Sequence, residues 1–258
     1  MGRRDRRDKM VSYLRSDGRV SVAELARDFG VTASTIRRDL SELADDGWLI
    51  RTYGGATVAN RRSAALGDDA GRAAKAAVAG LAATLVSDGQ AIAIGSGTTA
   101  LEFARRVGGR RLTVITNALD VANVLVDSDG IELIILGGVV RPRMHSMLGH
   151  VAELAARELR ADTLFMGIGA ISLNHGLMND SVPEILTDRA LREMARSTVI
   201  LADSSKFERA APAYVFDLRA GDTIVTDDRI LAATRAGWEQ RGVRVLTAAT
   251  GAGTDSAR

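Results

Sequence analysis

The chain contains no cysteine. This absence excludes disulfide bonds and metal sites built from thiolates. The sequence also has no uninterrupted apolar run of about 18 residues, the length that crosses a membrane. Its first residues, MGRRDRRDK, are not followed by the long apolar stretch of a signal peptide. We therefore expect a cytoplasmic protein that does not enter a membrane.

Lysine and histidine are scarce. Of the 34 Lys and Arg residues only Lys9, Lys75 and Lys206 are lysine, which we interpret as genome composition and not as mechanism. The three histidines include no pair at the spacing of metal ligands. We therefore predict no metal site and no cofactor.

Length and charge indicate two parts of different character. A chain of 258 residues corresponds to roughly two domains, and 46% hydrophobic residues are enough for a sizeable core. Residues 1 to 62 contain 13 Lys or Arg against 9 Asp or Glu, whereas the remainder is slightly acidic. A basic N-terminal part is attracted to phosphate, although its excess charge is modest and is equally compatible with a solvated basic face.

Residues 22 to 43, VAELARDFGVTASTIRRDLSEL, predict two helices joined by a tight turn. Apolar residues repeat at helical spacing in both halves, at Leu25 and Phe29 and then at Ile36, Leu40 and Leu43. Gly30 supplies the permissive backbone of the turn, and Thr32 offers an N-cap hydroxyl. Ser21 and Glu24 form a capping box upstream. Residues 3 to 16 predict a preceding helix, with Arg6 among its outward-facing residues.

This pattern indicates a helix-turn-helix whose second helix enters a DNA major groove. The following residues, WLIRTYGGA, predict a strand from 48 to 53 and a flexible Gly54-Gly55 turn, as in a winged helix. The alternative for this stretch is that Trp48, Leu49 and Tyr53 only close the small core. The predicted DNA contacts are Thr32, Ser34, Thr35, Arg37, Arg38, Arg51 and Tyr53.

After residue 72, β-prone apolar runs alternate with helical stretches. Seven such runs, at 91–94, 112–116, 131–136, 163–168, 198–201, 223–226 and 243–246, predict a doubly wound, mostly parallel α/β domain. The predicted organisation is a winged helix-turn-helix domain at 1–57, a linker at 58–72, an α/β domain at 73–250 and a disordered tail at 251–258. Ligands of such a domain bind at the carboxyl ends of the strands.

The first predicted strand end carries Gly95, Ser96, Gly97, Thr98 and Thr99 and opens a helix. Glycine backbone, two hydroxyl groups and a helix N-terminus suit a phosphate group, although a tight turn without ligand remains an alternative. The sequence of the loop matches neither a dinucleotide-binding nor a Walker motif. Other strand ends supply Asn117, Arg141, Asp203 and Lys206, for which an exposed loop ion pair is the alternative.

The two halves together resemble one known family. GRVSVAELARDFGVTAS followed by TIRRDLSELADDGWLIRTYGGA is similar to the N-terminal domain of DeoR-type transcriptional repressors. GSGTT, TN, LGG and DSSKF resemble the loops of their C-terminal sensor domain, whose fold is similar to ribose-5-phosphate isomerase. The resemblance implies a homodimer or homotetramer, a phosphate cradle at GSGTT and a phosphate or sugar contact at Lys206.

Two residues and one loop depart from the family pattern. Tyr53 stands where the family typically has His, and Asp188 stands where it usually has Lys, so no role is assigned to Asp188 or Arg189. The loop after TLFM is GIGAI and lacks the carboxylates that related isomerases use for proton transfer. We therefore expect that the domain binds its ligand without turning it over.

The leading hypothesis is a repressor of carbohydrate metabolism genes that is not an enzyme. Its partners are a double-stranded DNA operator and a phosphorylated sugar or polyol that changes operator affinity. An alternative is a sugar-phosphate isomerase with a DNA-binding appendage, with Asp203, Glu184 and His145 as acid–base candidates. A third is a constitutive DNA-binding protein whose α/β domain is only an oligomerisation scaffold.

Overall fold

The computed structural model describes Arg6, Lys9, Met10, Tyr13 and residues 19–45, 49–52, 55–58, 69–142 and 144–250. The chain divides into two compact units, Met1–Gly67 and Asp68–Arg258. Each unit has its own core. Among the described residues, no helix is long and apolar enough to cross a membrane.

The first unit combines helices with a small antiparallel sheet. Its elements are β1 (Arg19–Ser21), α1 (Val22–Phe29), α2 (Ala33–Asp45), β2 (Leu49–Thr52) and β3 (Gly55–Val58). The three strands pair in the order β1-β3-β2, and the four described residues that precede β1 are helical. This arrangement confirms the predicted winged helix-turn-helix.

The turn between α1 and α2 follows from its sequence. Ser21 caps α1, because its hydroxyl accepts hydrogen bonds from the N–H groups of Ala23 and Glu24 at 3.2 and 3.5 Å. Gly30 ends α1 with a φ of +63°, a left-handed conformation that favours glycine. The predicted apolar stripes then meet in one core of Met10, Val22, Leu25, Ile36, Leu40, Leu43 and Ala56.

The second unit contains twelve strands among its described residues. They are β4 (Ala91–Ile94), β5 (Leu112–Thr116), β6 (Ile131–Ile135), β7 (Val139–Arg141), β8 (Ser146–Leu148), β9 (Ala161–Gly167), β10 (Ala170–Ser172), β11 (Gly176–Asn179), β12 (Ala195–Leu201), β13 (Ala213–Phe216), β14 (Thr223–Asp227) and β15 (Arg244–Ala248). Its helices are α3 (Asp69–Ala83), α4 (Thr98–Val107), α5 (Leu119–Leu125), α6 (His150–Glu158), α7 (Ile185–Met194) and α8 (Ala232–Gln240). Two short 3-10 helices span Val182–Glu184 and Ser204–Glu208.

The seven predicted strands form one parallel sheet in the order β15-β14-β12-β9-β4-β5-β6, which confirms the doubly wound prediction. A second, antiparallel sheet has the order β10-β11-β13, and β7 pairs with β8 as a hairpin. These five short strands were not predicted, because three or four residues show too little alternation to be recognised. Helix α3 begins at Asp69, inside the range predicted as linker.

Both faces of the parallel sheet are buried by alternate residues of its strands. In β9, Phe165 faces a core with α3, α4 and α5, whereas its neighbours Leu164 and Met166 face a second core with α6, α7 and α8. Phe165 stacks on Phe103 of α4 with ring centroids 4.3 Å apart. Because every strand runs in the same direction, the loops after β4, β5, β9, β12 and β14 lie at one end of the sheet. We call this end the strand-end site.

Candidate functional site

The second helix of the first unit presents polar side chains to solvent. Ser34, Arg37 and Arg38 are exposed and Thr35 is half-buried, whereas Ile36 and Leu40 on the opposite side are buried. The Arg38 guanidinium lies 3.9 Å from the Glu42 carboxylate, an exposed contact that holds it only weakly. This face is therefore open to solvent.

The structure gives Thr32 a capping role. Its hydroxyl accepts the N–H of Thr35 at 3.3 Å and lies 2.8 and 2.9 Å from the hydroxyl groups of Ser34 and Thr35. Thr32 thus organises the start of α2. Of the two predicted wing contacts, Arg51 lies in β2, and Tyr53 lies outside the described residues, as does Trp48.

A buried ion pair connects α2 to the N-terminal helical segment. The prediction that Arg6 faces outward is wrong, because Arg6 is only 7% exposed and its Nε lies 2.5 Å from the Asp39 carboxylate. Asp39 falls three residues after Ile36 and four before Leu43, within the buried stripe of α2. A carboxylate within a buried apolar stripe needs a cationic partner. The position of Asp39 therefore indicated that a basic residue such as Arg6 is buried beside it.

The glycine loop of the strand-end site fits tightly against β9. The N–H of Gly95 donates to the carbonyl of Phe165 at 2.9 Å. A Cβ at position 95 would lie 3.0 Å from the Cβ of Met166, so a larger residue would press on β9. Gly97 has a φ of +115° and stands at the N-cap of α4 without a side-chain cap. The loop therefore directs a helix N-terminus with no capping side chain towards the site.

The end of β5 contributes a buried threonine and asparagine. The Thr116 hydroxyl donates to the Ile94 carbonyl at 2.7 Å, which joins the ends of β5 and β4. Asn117 is 1% exposed, and its Nδ2 donates to the Met147 carbonyl at 3.3 Å. Its Oδ1 has no hydrogen-bond partner among the described residues. A buried amide oxygen without a donor is costly unless a ligand or water supplies one.

Three charged residues form a cationic cluster of Lys75, Asp203 and Lys206. Burial lowers the pKa of Lys75, and the positive charge of Lys206 lowers it further, while Asp203 acts to raise it. Asp203 is buried and accepts the Ser205 N–H at 3.2 Å, which holds the loop that carries Lys206. The fold thus brings two ammonium groups near one carboxylate, an arrangement that attracts an anion.

Lys75 was not predicted as a site residue. It is only 7% exposed although it lies in an alanine-rich helix. It precedes the buried Val78 by three residues and the buried Ala79 by four, so it belongs to the inward stripe of α3. A lysine in the inward stripe of a predicted helix is the sequence feature that could have identified Lys75 as a site residue.

Asp227, at the end of β14, anchors the same loop. Its Oδ2 accepts the N–H of Ser204 at 2.7 Å, and its Oδ1 accepts Nε of Arg229 at 2.8 Å. Burial acts to raise the pKa of Asp227, but the hydrogen bonds from Arg229 and Ser204 lower it overall. Asp227 therefore stays ionised and fixes the start of the DSSKF loop.

A second group, the carboxyl cluster, consists of Glu184 and Asp188 with the polar residues that contact them. Arg141 donates to the Ser181 hydroxyl, and its Nη1 lies 2.9 Å from Oε1 of Glu184. The Ser146 hydroxyl donates to the same Oε1 at 3.0 Å. Arg141, predicted to contact the effector, is thus bound to a carboxylate of the protein.

Asp188 is the most perturbed carboxyl group of this cluster. Burial and the charge of Glu184 raise the pKa of Asp188 to about 8, although the hydrogen bond from Asn179 acts to lower it. Nδ2 of Asn179 donates to Oδ2 of Asp188 at 2.8 Å, and Oδ1 of Asn179 accepts the Gly169 N–H at 2.9 Å. The strand-end site therefore contains carboxyl groups, supplied by the α7 region and not by the GIGAI loop.

The histidines do not join these clusters. Nδ1 of His145 lies 3.1 Å from the Asp120 carboxylate, His150 begins α6, and His175 is exposed. Within the part of the chain that the structure describes, no three His, Asp or Glu side chains are grouped to hold a metal ion.

Comparisons with known families match both units. A model described as the DeoR-like helix-turn-helix domain matches residues 6–62. A model described as the DeoR C terminal sensor domain matches residues 71–228. Together they include the α2 face and most of the strand-end site.

Several curated proteins are similar over nearly their whole length. The chain is 34% identical over 229 residues to "Transcriptional repressor AccR" of Agrobacterium fabrum, covering 86% of this chain and 89% of that protein. It is 31% identical to the "Lactose phosphotransferase system repressor" of Lactococcus lactis, covering 89% and 93%. It is 29% identical to the "Glycerol-3-phosphate regulon repressor" of Escherichia coli K12, covering 88% and 92%.

Solved structures are similar to the chain only in part. Ribose 5-phosphate isomerase A of Methanocaldococcus jannaschii is 22% identical and covers 52% of this chain and 53% of its own, with a TM-score of 0.39. The eIF2B delta subunit of Chaetomium thermophilum is 17% identical and covers 76% and 66%, with a TM-score of 0.42.

Proposed function

Because the chain belongs to the DeoR family of DNA-binding transcriptional regulators, we propose that it represses carbohydrate metabolism genes under the control of a phosphorylated sugar or polyol. Relatives named for a lactose phosphotransferase system and a glycerol-3-phosphate regulon support this class of effector. The DNA contacts that we propose are Thr32, Ser34, Thr35, Arg37, Arg38, Arg51 and Tyr53. The proposed effector contacts are Gly95, Ser96, Gly97, Thr98, Thr99, Asn117, Arg141, Asp203 and Lys206, to which we add Lys75.

The cationic cluster is the observation that carries this proposal. Lys75 loses solvation in the fold and is held near Lys206, so bringing the two ammonium groups together costs free energy that an anion offsets. A phosphate group fits this need, because the N-terminus of α4 faces the same end of the sheet. A neutral sugar would bring no negative charge to the two ammonium groups.

Control of DNA binding requires that the effector binds one arrangement of the protein better than another. A coupling free energy of about 1 to 3 kcal/mol changes operator affinity by about 5- to 150-fold. In this account the strand-end site only binds its ligand, and the location that we propose is the cytoplasm, where operator DNA is accessible. Conversion of a sugar phosphate by the purified protein would instead favour the isomerase alternative.

We further propose that the second unit pairs with another copy of itself. An exposed apolar patch consists of Ile135, Val139, Val140, Val151 and Leu154, and Val139 alone is 76% exposed. The patch lies where β6 forms an edge of the parallel sheet, beside β7 and α6. A single recognition helix gains specificity when a symmetric partner reads a second half-site. Sedimentation should show a dimer or tetramer in the wild type and a smaller species for Val139→Asp.

A thermal-shift screen tests the effector assignment. Phosphorylated sugars and polyols should raise the unfolding midpoint, whereas the matching unphosphorylated compounds should not. Thr98→Val combined with Lys206→Ala should abolish the rise. Equal responses to both compound classes, or a rise that persists in this variant, would show that the cationic cluster does not bind phosphate.

A further inference from the structure

The carboxyl cluster lies beside the predicted effector contacts but has no assigned role. Each of its two acids is contacted through one oxygen only by the side chains of the described residues. This oxygen is Oε1 in Glu184 and Oδ2 in Asp188. Both side chains are nonetheless buried, at 5% and 6% exposure. The second oxygen of each acid therefore remains available to a ligand.

Asn117 supplies an independent sign of a ligand at the same place. Its Oδ1 is buried without a donor among the described residues, while its Nδ2 is bound to the Met147 carbonyl. The neighbouring Ser146 donates to Glu184, so β8 connects Asn117 with the carboxyl cluster. Oδ1 of Asn117 and the second oxygen of Glu184 thus have no donor among the described residues, and a ligand hydroxyl group supplies one.

The carboxyl cluster and the cationic cluster flank one hairpin. The 3-10 helix Ser204–Glu208, which carries Lys206, packs against β10. On the adjoining strand β11, Asn179 donates to Asp188, and Arg209 binds the next residue, Asp180, at 2.7 Å. Both clusters therefore adjoin the same β10–β11 hairpin.

We propose that Asn117, Glu184 and Asp188 form the hydroxyl-recognising end of the effector site. The inference rests on the proposed function, because it assumes that the cationic cluster holds the phosphate of the same molecule. A polyol chain is the matching ligand class, since each hydroxyl group both donates and accepts a hydrogen bond. Oδ1 of Asn117 and the free oxygen of Glu184 accept ligand hydroxyl protons.

Asp188 has a different part in this recognition. It stays protonated at neutral pH because burial and Glu184 raise its pKa. Its carboxylic O–H then donates to a ligand oxygen, while Oδ2 remains bound to Asn179. An asparagine at position 188 also donates through its amide group, whereas an alanine does not.

The test compares a polyol phosphate with ethyl phosphate, which has no hydroxyl groups. Ribitol 5-phosphate and glucitol 6-phosphate are titrated into the full chain by calorimetry. The wild type should bind at least one of them about 10-fold or more tightly than ethyl phosphate. Glu184→Gln and Asp188→Ala should each remove most of this preference without changing the affinity for ethyl phosphate. Asp188→Asn should keep the preference within about threefold.

Two outcomes would overturn the inference. One is a wild type that binds the polyol phosphates no more tightly than ethyl phosphate, and the other is a preference that survives in both Glu184→Gln and Asp188→Ala. Unfolding midpoints establish that each variant is folded, and Asp188→Asn serves as the matched control. Failure of the proposed function has a different signature, because Lys206→Ala would then leave the affinity for ethyl phosphate unchanged.

Discussion

On α2 of the first unit, Ser34, Arg37 and Arg38 extend into solvent, whereas at the strand-end site Lys75, Glu184 and Asp188 lie within the interior. The exposed face is supported from below by a small apolar core and the buried Arg6–Asp39 pair. Glu184 and Asp188 accept hydrogen bonds from Ser146 of β8 and Asn179 of β11. Substitutions on the α2 face should therefore change affinity, and substitutions of buried charges should change stability as well.

The largest expected effect is that of Arg6, because the exposed face of α2 depends on the buried ion pair beneath it. Arg6→Ala removes the guanidinium that lies 2.5 Å from the buried Asp39 carboxylate and should cost about 3 to 5 kcal/mol of unfolding free energy. Urea unfolding followed by circular dichroism measures this loss. The double variant Arg6→Met with Asp39→Leu should recover most of it, because no unpaired charge remains. A single variant as stable as the wild type would contradict the buried pair.

The next largest expected effect is a pH dependence of stability caused by Asp188. Its pKa is about 8 in the folded chain and 3.8 in a model compound, so between about pH 4 and pH 8 the folded state holds a proton that the unfolded state releases. Stability from this group is therefore present at low pH and falls as pH rises through that window, by at most about 1.4 kcal/mol per pH unit. Asp188→Asn should gain stability relative to the wild type between pH 5 and pH 8, measured by urea unfolding at both values. Parallel stability curves would show that Asp188 is not held protonated.

The smallest effect on stability is expected at the exposed face of α2. Arg38→Ala should weaken operator binding by about 1 to 3 kcal/mol, or about 5- to 150-fold, if Arg38 meets a base edge. The unfolding midpoint should change little, since the side chain has only a weak contact with Glu42. Gel-shift titrations provide the affinity, with the exposed Arg27→Ala on α1 as the control. An affinity equal to that of the wild type would remove Arg38 from the DNA contacts.

The sequence predicts the helices and the main strands well. The seven sheet strands were predicted because buried parallel strands are continuous apolar runs, and α1 and α2 because their stripes repeat at helical spacing. The apolar run AIAI likewise predicts a strand that ends at the GSGTT loop. Features that are encoded by neighbouring residues can therefore be predicted from the sequence.

Features assembled from distant residues were harder to predict. Glu184 meets Arg141 and Ser146 only because its 3-10 helix lies against the β7–β8 hairpin, and Arg6 meets Asp39 across 33 residues. Lys75 and Asp39 carried a partial signal, a charged residue inside an apolar helical stripe. Such a residue indicates that a partner exists without identifying it, because the stripe contains no information about what packs against it.

We propose that a phosphate bound at the cationic cluster controls DNA binding by α2. Fluorescence anisotropy of a labelled operator, with and without a stabilising sugar phosphate, measures this coupling directly. The account predicts a change in operator affinity of about 5- to 150-fold for the wild type. It predicts no change for Lys206→Ala, although this variant should bind the operator normally without effector. An equal change in both proteins, or a change produced by the unphosphorylated sugar, would contradict the account.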